Sequence, residues 1–164
     1  MTTTITGDLQ SVQFVKDAPS GYVQYGTLST GLPVYASTSN KLKIAFVAGK
    51  VYAPEDSSSL FSYFEELTVL FLATLDTSRV TNMYKMFDGT WHVSTLDLSK
   101  FDTSNVTNMS DMFYYCSGLE SIQQSFNTSK VTNMASMFDE CYSLKNIDLS
   151  NFDTSNVTDM SNMF

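Results

Sequence analysis

The 164-residue chain carries one imidazole, His92, and two thiols, Cys116 and Cys141, and that inventory bounds the chemistry open to it. A closed zinc site takes four ligands, usually thiolate or imidazole, and three such side chains are too few. Any Ser-His-Asp set would have to be built on His92. Three pairs of acidic residues are sequence neighbours, Glu55-Asp56, Glu65-Glu66 and Asp139-Glu140. Their side chains diverge instead of facing each other across the roughly 5 to 10 Å that a glycosidase needs. No catalytic set, metal or cofactor is expected. The side chains left for recognition are Trp91, His92, Tyr114, Tyr115, Tyr142 and Tyr84. Rings of this kind offer large contact area at low entropic cost, and they stack on sugars as readily as they anchor protein interfaces.

Charge removes further classes. Only 16% of residues are charged and the formal net charge is −8, so nothing here neutralises a phosphate backbone or draws the chain to an anionic membrane. The longest apolar stretch, Leu67 to Leu75, contains two Thr and falls short of the ~20 residues of a membrane-spanning helix. Neither nucleic-acid binding nor membrane insertion is expected. The opening MTTTITGDLQ lacks a basic segment followed by an apolar run, so it does not read as a secretory signal.

The elements that must position the aromatic residues come from a repeat. DTSRVTNMYKMF begins at Asp76, DTSNVTNMSDMF at Asp102, NTSKVTNMASMF at Asn127 and DTSNVTDMSNMF at Asp153, at spacings of 26, 25 and 26 residues. Between them runs an LxxLxLxxF pattern, Val93-Leu96-Leu98-Phe101 and Leu144-Ile147-Leu149-Phe152, with a copy one residue short at Leu119-Ile122-Phe126. Shifting the register back one period adds Leu60-Phe61, Phe64, Leu67, Leu70, Leu72 and Leu75. About five units result, marked by Phe61, Phe87, Phe113, Phe138 and Phe164, and eight of the nine Met fall in two of their columns. A fixed period of this length is a solenoid signature.

Each unit predicts one short strand and one short helix. Alternating Leu and Ile in LxxLxLxxF suit a half-buried strand. Val106, Met109, Met112-Phe113 and Cys116 recur at helical spacing, with Thr103 or Ser104 available as cap. The expected fold is an α/β solenoid, leucine-rich-repeat-like, in which stacking covers apolar faces that one unit leaves bare. Residues 53–164 are assigned to this array and 1–52 to a β-rich N-terminal cap, since all three Pro and five of the seven Gly precede residue 55. At Phe164 the array is expected to be truncated, or covered by another chain, and self-association through this open C-terminal rung is a further expectation.

In a stack each repeat position becomes a column. Asp76, Asp102, Asn127 and Asp153 offer carboxylates for a calcium ladder, but the same residues suit Asx turns, which is the expected role. Asn82, Asn108, Asn133 and Asp159 are expected to be a structural ladder in which buried side chains bond successive backbone groups. Cys116 and Cys141 share a column with Phe64 and Thr90, and side chains pointing the same way fit disulfide geometry poorly, so free thiols are expected.

DTSNVTNMSDMF followed by xxCxxLxxLDLSxF resembles the bacterial surface protein 26-residue repeat, which belongs with the BspA-like leucine-rich repeat proteins, and residues 51–164 carry the resemblance. It implies a surface-displayed or secreted, non-catalytic adhesion module with a protein or glycan partner on a host or neighbouring cell. The alternative expectation is a structural or host-attachment component of a phage particle, the cap docked to the virion and the repeats projecting.

Overall fold

A computed structural model of the protein describes residues 11–15, 22–27, 33–37, 44–48, 51–63, 69–72 and 75–164. Phe64, Leu67 and the Glu65-Glu66 pair lie outside them. Among the described residues nine strands run in chain order: β1 (Ser11–Val15), β2 (Tyr22–Thr27), β3 (Pro33–Ser37), β4 (Ile44–Ala48), β5 (Val51–Tyr52), β6 (Val69–Phe71), β7 (Leu75–Asp76), β8 (Thr95–Leu98) and β9 (Ser121–Gln124).

A five-stranded sheet has the order β2-β3-β4-β1-β6. The β2-β3 and β3-β4 pairs are antiparallel, whereas β1 lies parallel to both β4 and β6, with Ser11 opposite Val69. The N-terminal sheet therefore ends on a strand of the first repeat unit. Residues 51–52, which composition assigns to the cap, pair in parallel with Leu75 and Asp76 and so open the first coil. Composition registers where Pro and Gly thin out, while strand pairing follows backbone geometry, and the two boundaries differ by those residues.

From Val51 onward the units stack in parallel. Single bridges join Asp56 to Asn82, Asn82 to Asn108, Asn108 to Asn133 and Asn133 to Asp159. On the opposite arm β8 pairs with β9 in parallel, Thr95 opposite Ser121, and Ser121 bridges on to Asn146.

No described residue is helical, and the described segments expected to be helices are ribbons of overlapping turns. In the second coil the N–H groups of Met83, Lys85, Phe87 and Gly89 donate to the carbonyls of Asn108, Ser110, Met112 and Tyr114 in the next coil, at 2.9, 3.2, 2.9 and 2.9 Å. The alternate N–H groups of Met86, Asp88 and Thr90 turn back to the carbonyls three residues earlier, at 3.1, 3.1 and 3.2 Å. The pattern repeats from Met109 and from Met134. A helix of about two turns would leave four N–H and four C=O groups unpaired at its ends, which is most of what it has. The ribbon pairs these groups with its neighbours, and buried backbone requires that pairing.

Helical spacing nonetheless marks the core correctly, because the turns also return a side chain inward at every third and fourth position. Met83, Met86, Phe87, Met109, Met112, Phe113, Met134 and Met137 are fully buried, each a gain of roughly 1.5–3 kcal/mol. The phenylalanine rings of Phe61, Phe87, Phe113, Phe138 and Phe164 stack in one column with centroids 5.5, 5.5, 5.4 and 5.7 Å apart. Offset stacking at this distance adds to the burial.

A second column ties the coils together through hydroxyls. Thr77, Thr103 and Thr128 are buried. Each Oγ1 accepts from the N–H of Asp102, Asn127 or Asp153 (2.8, 2.8 and 2.7 Å) and donates to the same residue's carbonyl (3.1, 3.0 and 3.0 Å). Thr103 thus bridges two coils instead of capping a helix. The shortened copy has its own repair. Phe101 and Phe152 bond the carbonyls of Leu98 and Leu149, both at 3.0 Å, whereas Phe126 bonds the side-chain Oε1 of Gln124 at 2.8 Å. The Gln124 amide takes the place of the turn that the missing residue would have closed.

Candidate functional site

The aromatic candidates ride on the turn ribbons, so ribbon geometry decides where they point. Left-handed backbone recurs in two columns: Ser59, Lys85, Asp111, Ser136 and Asn162 at φ 54, 54, 53, 50 and 51°, and Tyr63, Gly89, Tyr115 and Glu140 at φ 56, 69, 56 and 63°. Gly89 occupies its position without strain. A residue with a Cβ gives up about 1–2 kcal/mol there. Two of those positions hold exposed tyrosines, Tyr63 at 60% and Tyr115 at 41% exposure.

Six residues gather where the second and third coils leave their ribbons. The Lys85 Nζ stands 5.5 Å from the Tyr84 ring centre, 5.6 Å from that of Tyr114 and 3.5 Å from Asp88 Oδ2. Trp91 meets Tyr115 edge to face at 5.8 Å, and Tyr115 tilts against Tyr114 at 6.2 Å. Desolvation pulls the Lys85 ammonium down, but the charges of Asp88, Tyr84 and Asp111 outweigh it and raise its pKa. Asp111 is pushed up by burial; Lys85 offsets part of this, and the nearby carboxylates Asp88 and Asp139 add to it.

Of the residues named from sequence, Tyr84, Tyr115, Tyr142 and His92 are exposed, while Trp91 and Tyr114 are half-buried. Tyr142 stands one coil further on, apart from the other rings. Its hydroxyl donates to Glu140 Oε2, beside a concavity lined in part by Asp139, Glu140, Cys141, Leu144 and Lys145. Sequence reasoning passed over Tyr63, Lys85 and Asp88. Their signal was in the columns, where a lone Lys stands among Asp and Ser, and a lone Gly between Tyr63 and Tyr115.

The polar columns serve the backbone. Asp76, Asp102, Asn127 and Asp153 each accept the N–H two residues on, at 3.0, 3.0, 3.1 and 2.9 Å, which is an Asx turn. Hydrogen bonds from Ser104 and Ser155, side chain then backbone, hold the Asp102 and Asp153 carboxyls below their usual range. Asn82, Asn108, Asn133 and Asp159 do the same at 3.0, 3.0, 2.9 and 3.0 Å. The three Asn are half-buried and Asp159 exposed; their side-chain oxygens serve their own turns, and Asn82 Nδ2 donates to Asp56 Oδ1 of the preceding coil at 3.0 Å. Among the described residues no group of three or more His, Cys, Asp and Glu could hold a metal ion, and no helix is long and apolar enough to cross a membrane.

Both thiols are free. Cys116 Sγ donates to the Phe87 carbonyl and Cys141 Sγ to that of Phe113, both at 3.1 Å. Burial pushes Cys116 up to about 11 and Cys141 to about 12, which leaves neither a nucleophile near neutral pH.

The family model described as "Mycoplasma protein of unknown function, DUF285" matches residues 55–164. No curated protein and no solved structure matches the chain.

Proposed function

Because the chain belongs to the DUF285 family, whose description assigns no function, we propose that it is a non-catalytic binding or adhesion module of the cell surface. In this reading the stacked coils are a leucine-rich-repeat-like solenoid akin to bacterial surface protein repeats. Their turn ribbons present aromatic side chains to a protein or glycan on a host or neighbouring cell. The observation that carries the reading is the set of exposed tyrosines on four successive coils, Tyr63, Tyr84, Tyr115 and Tyr142, two of them in left-handed backbone. Coils hydrogen-bonded at every second residue hold such rings in fixed relative positions. Weak contacts on neighbouring coils then add through effective concentration.

The test is binding of the purified chain to immobilised glycans and extracellular-matrix proteins, beside a Tyr84→Ser/Tyr115→Ser/Tyr142→Ser variant with an unchanged melting curve. A specific hit that the variant loses supports the module. Absence of any hit, or equal binding by the variant, overturns it.

A further inference from the structure

The repeat satisfies its polar groups so consistently that the exceptions stand out. Among the described residues, three buried side-chain polar atoms lack a hydrogen-bond partner: Oδ1 and Oδ2 of Asp88, and Nε1 of Trp91. All three belong to one turn of one coil. Asp88 is 1% exposed, and the Lys85 ammonium 3.5 Å from Oδ2 balances its charge without hydrogen-bonding either oxygen. Buried polar atoms are nearly always paired, and a buried indole N–H usually finds an acceptor. An acceptor pair and a donor left open three residues apart therefore call for an explanation in function.

The surroundings supply one. Between Asp88 and Trp91 lies Gly89, at φ 69°, where a Cβ would fall 2.9 Å from Tyr63 Cδ1 and 3.4 Å from Trp91 Nε1. The exposed Tyr63 ring thus rests on bare glycine backbone next to the indole N–H, and the exposed Tyr115 ring meets Trp91 edge to face at 5.8 Å. In the same column the other coils carry Tyr63, Tyr115 and Glu140 in place of the glycine. Among the described residues only this coil combines a glycine floor, a carboxylate, an indole N–H and two flanking rings.

We propose that this turn, with Tyr63 and Tyr115, is a subsite for a neutral saccharide, reached when the Tyr63 ring swings off Gly89. Sugar hydroxyls donate to the Asp88 carboxylate and accept from Trp91 Nε1, and the apolar face of the sugar ring lies on the tyrosines. The net charge of −8, with Asp111 close to Asp88, disfavours sialylated or sulfated sugars. This inference rests on the binding-module reading and deepens it by choosing glycan over protein.

Trp91 is the only tryptophan of the chain, so its own emission reports on the subsite. The experiment titrates the full chain with neutral hexose and N-acetylhexosamine oligosaccharides and with a sialylated one, following Trp91 fluorescence. The same chain is run on the matrix-protein panel. Saturable emission changes with a neutral oligosaccharide, at least tenfold weaker binding of the sialylated one, and at least tenfold weaker binding by Asp88→Asn are expected. Trp91→Phe removes the N–H and keeps most of the ring, and its binding is read on immobilised sugar. It is expected to melt no lower than the parent yet to lose the sugar. Retained sugar binding in both folded variants overturns the subsite. Binding to matrix protein alone overturns the subsite and leaves the module standing, while silence on both panels overturns both.

Discussion

Thr103 shows how much one side chain carries in this molecule. Its hydroxyl both accepts from and donates to Asn127 in the next coil, so a near-isosteric Thr103→Val change leaves a backbone N–H and a C=O without partners. A loss of about 1–3 kcal/mol is expected in urea unfolding. Thr154, the exposed member of the same column, is the control, and Thr154→Val should stay within about 0.5 kcal/mol of the parent. The thiols give a pH prediction. Folding raises both above the ordinary 9.0, to about 11 and about 12, so the folded state favours the neutral form. Their contribution to stability is fully present below pH 9 and is lost as pH rises through 11 to 12. Melting temperature followed from pH 7 to 11 should therefore fall above pH 9, and a Cys116→Ala/Cys141→Ala chain should show a smaller fall. In native protein at pH 8 neither thiol should react with a maleimide within minutes, and both should react in denaturant.

At the level of elements, the turn ribbon trades local strain for pairing between coils. Ser136 sits at φ 50°, and Ser136→Gly removes that strain at the cost of a more flexible unfolded chain. The balance should be neutral to about 1 kcal/mol stabilising by denaturant midpoint. Gly118 is the opposite case, because a Cβ there would lie 2.0 Å from the Trp91 carbonyl oxygen. Backbone must move, so Gly118→Ala should cost about 1–3 kcal/mol and shift Trp91 emission. The helical spacing of Val106, Met109, Met112 and Phe113 was legible in sequence, and so was their burial. That the segment is a ribbon was not, because a turn repeating every two residues and a helix of two turns bury the same positions. The difference lies in where the N–H groups point, and that depends on the coil stacked next to them.

At the scale of the whole molecule, a stack whose coils bond only their neighbours is expected to behave as a sum of nearest-neighbour contacts. Met112 is fully buried in the third of the coils, touched by neighbours on both sides. Met112→Asp should cost about 3 to 5 kcal/mol, read as a large fall in melting temperature. An unchanged melting curve would contradict the register of the stack. Loss of one central coil contact should also make unfolding less cooperative, visible as a broadened transition.

The period of 25 to 26 residues, the core columns of Met and Phe, the Asx role of the DTS aspartates and the free thiols could all be read from one chain of letters. Each is repeated, and a repeated residue in a stack meets copies of itself, so its environment is implied by its own recurrence. What had to wait for the tertiary structure were the non-repeated and cross-coil features. These include the pairing of β1 with β6 across the compositional boundary and the Gln124 amide that replaces a missing residue. They include the bridging of Thr103 between coils, and the turn at Gly89 where the Asp88 oxygens and Trp91 Nε1 lack a hydrogen-bond partner. Each depends on atoms about 25 residues apart or more, or on a departure from the repeat. No local pattern announces such contacts, because they are set by which backbone groups the neighbouring coil leaves within reach.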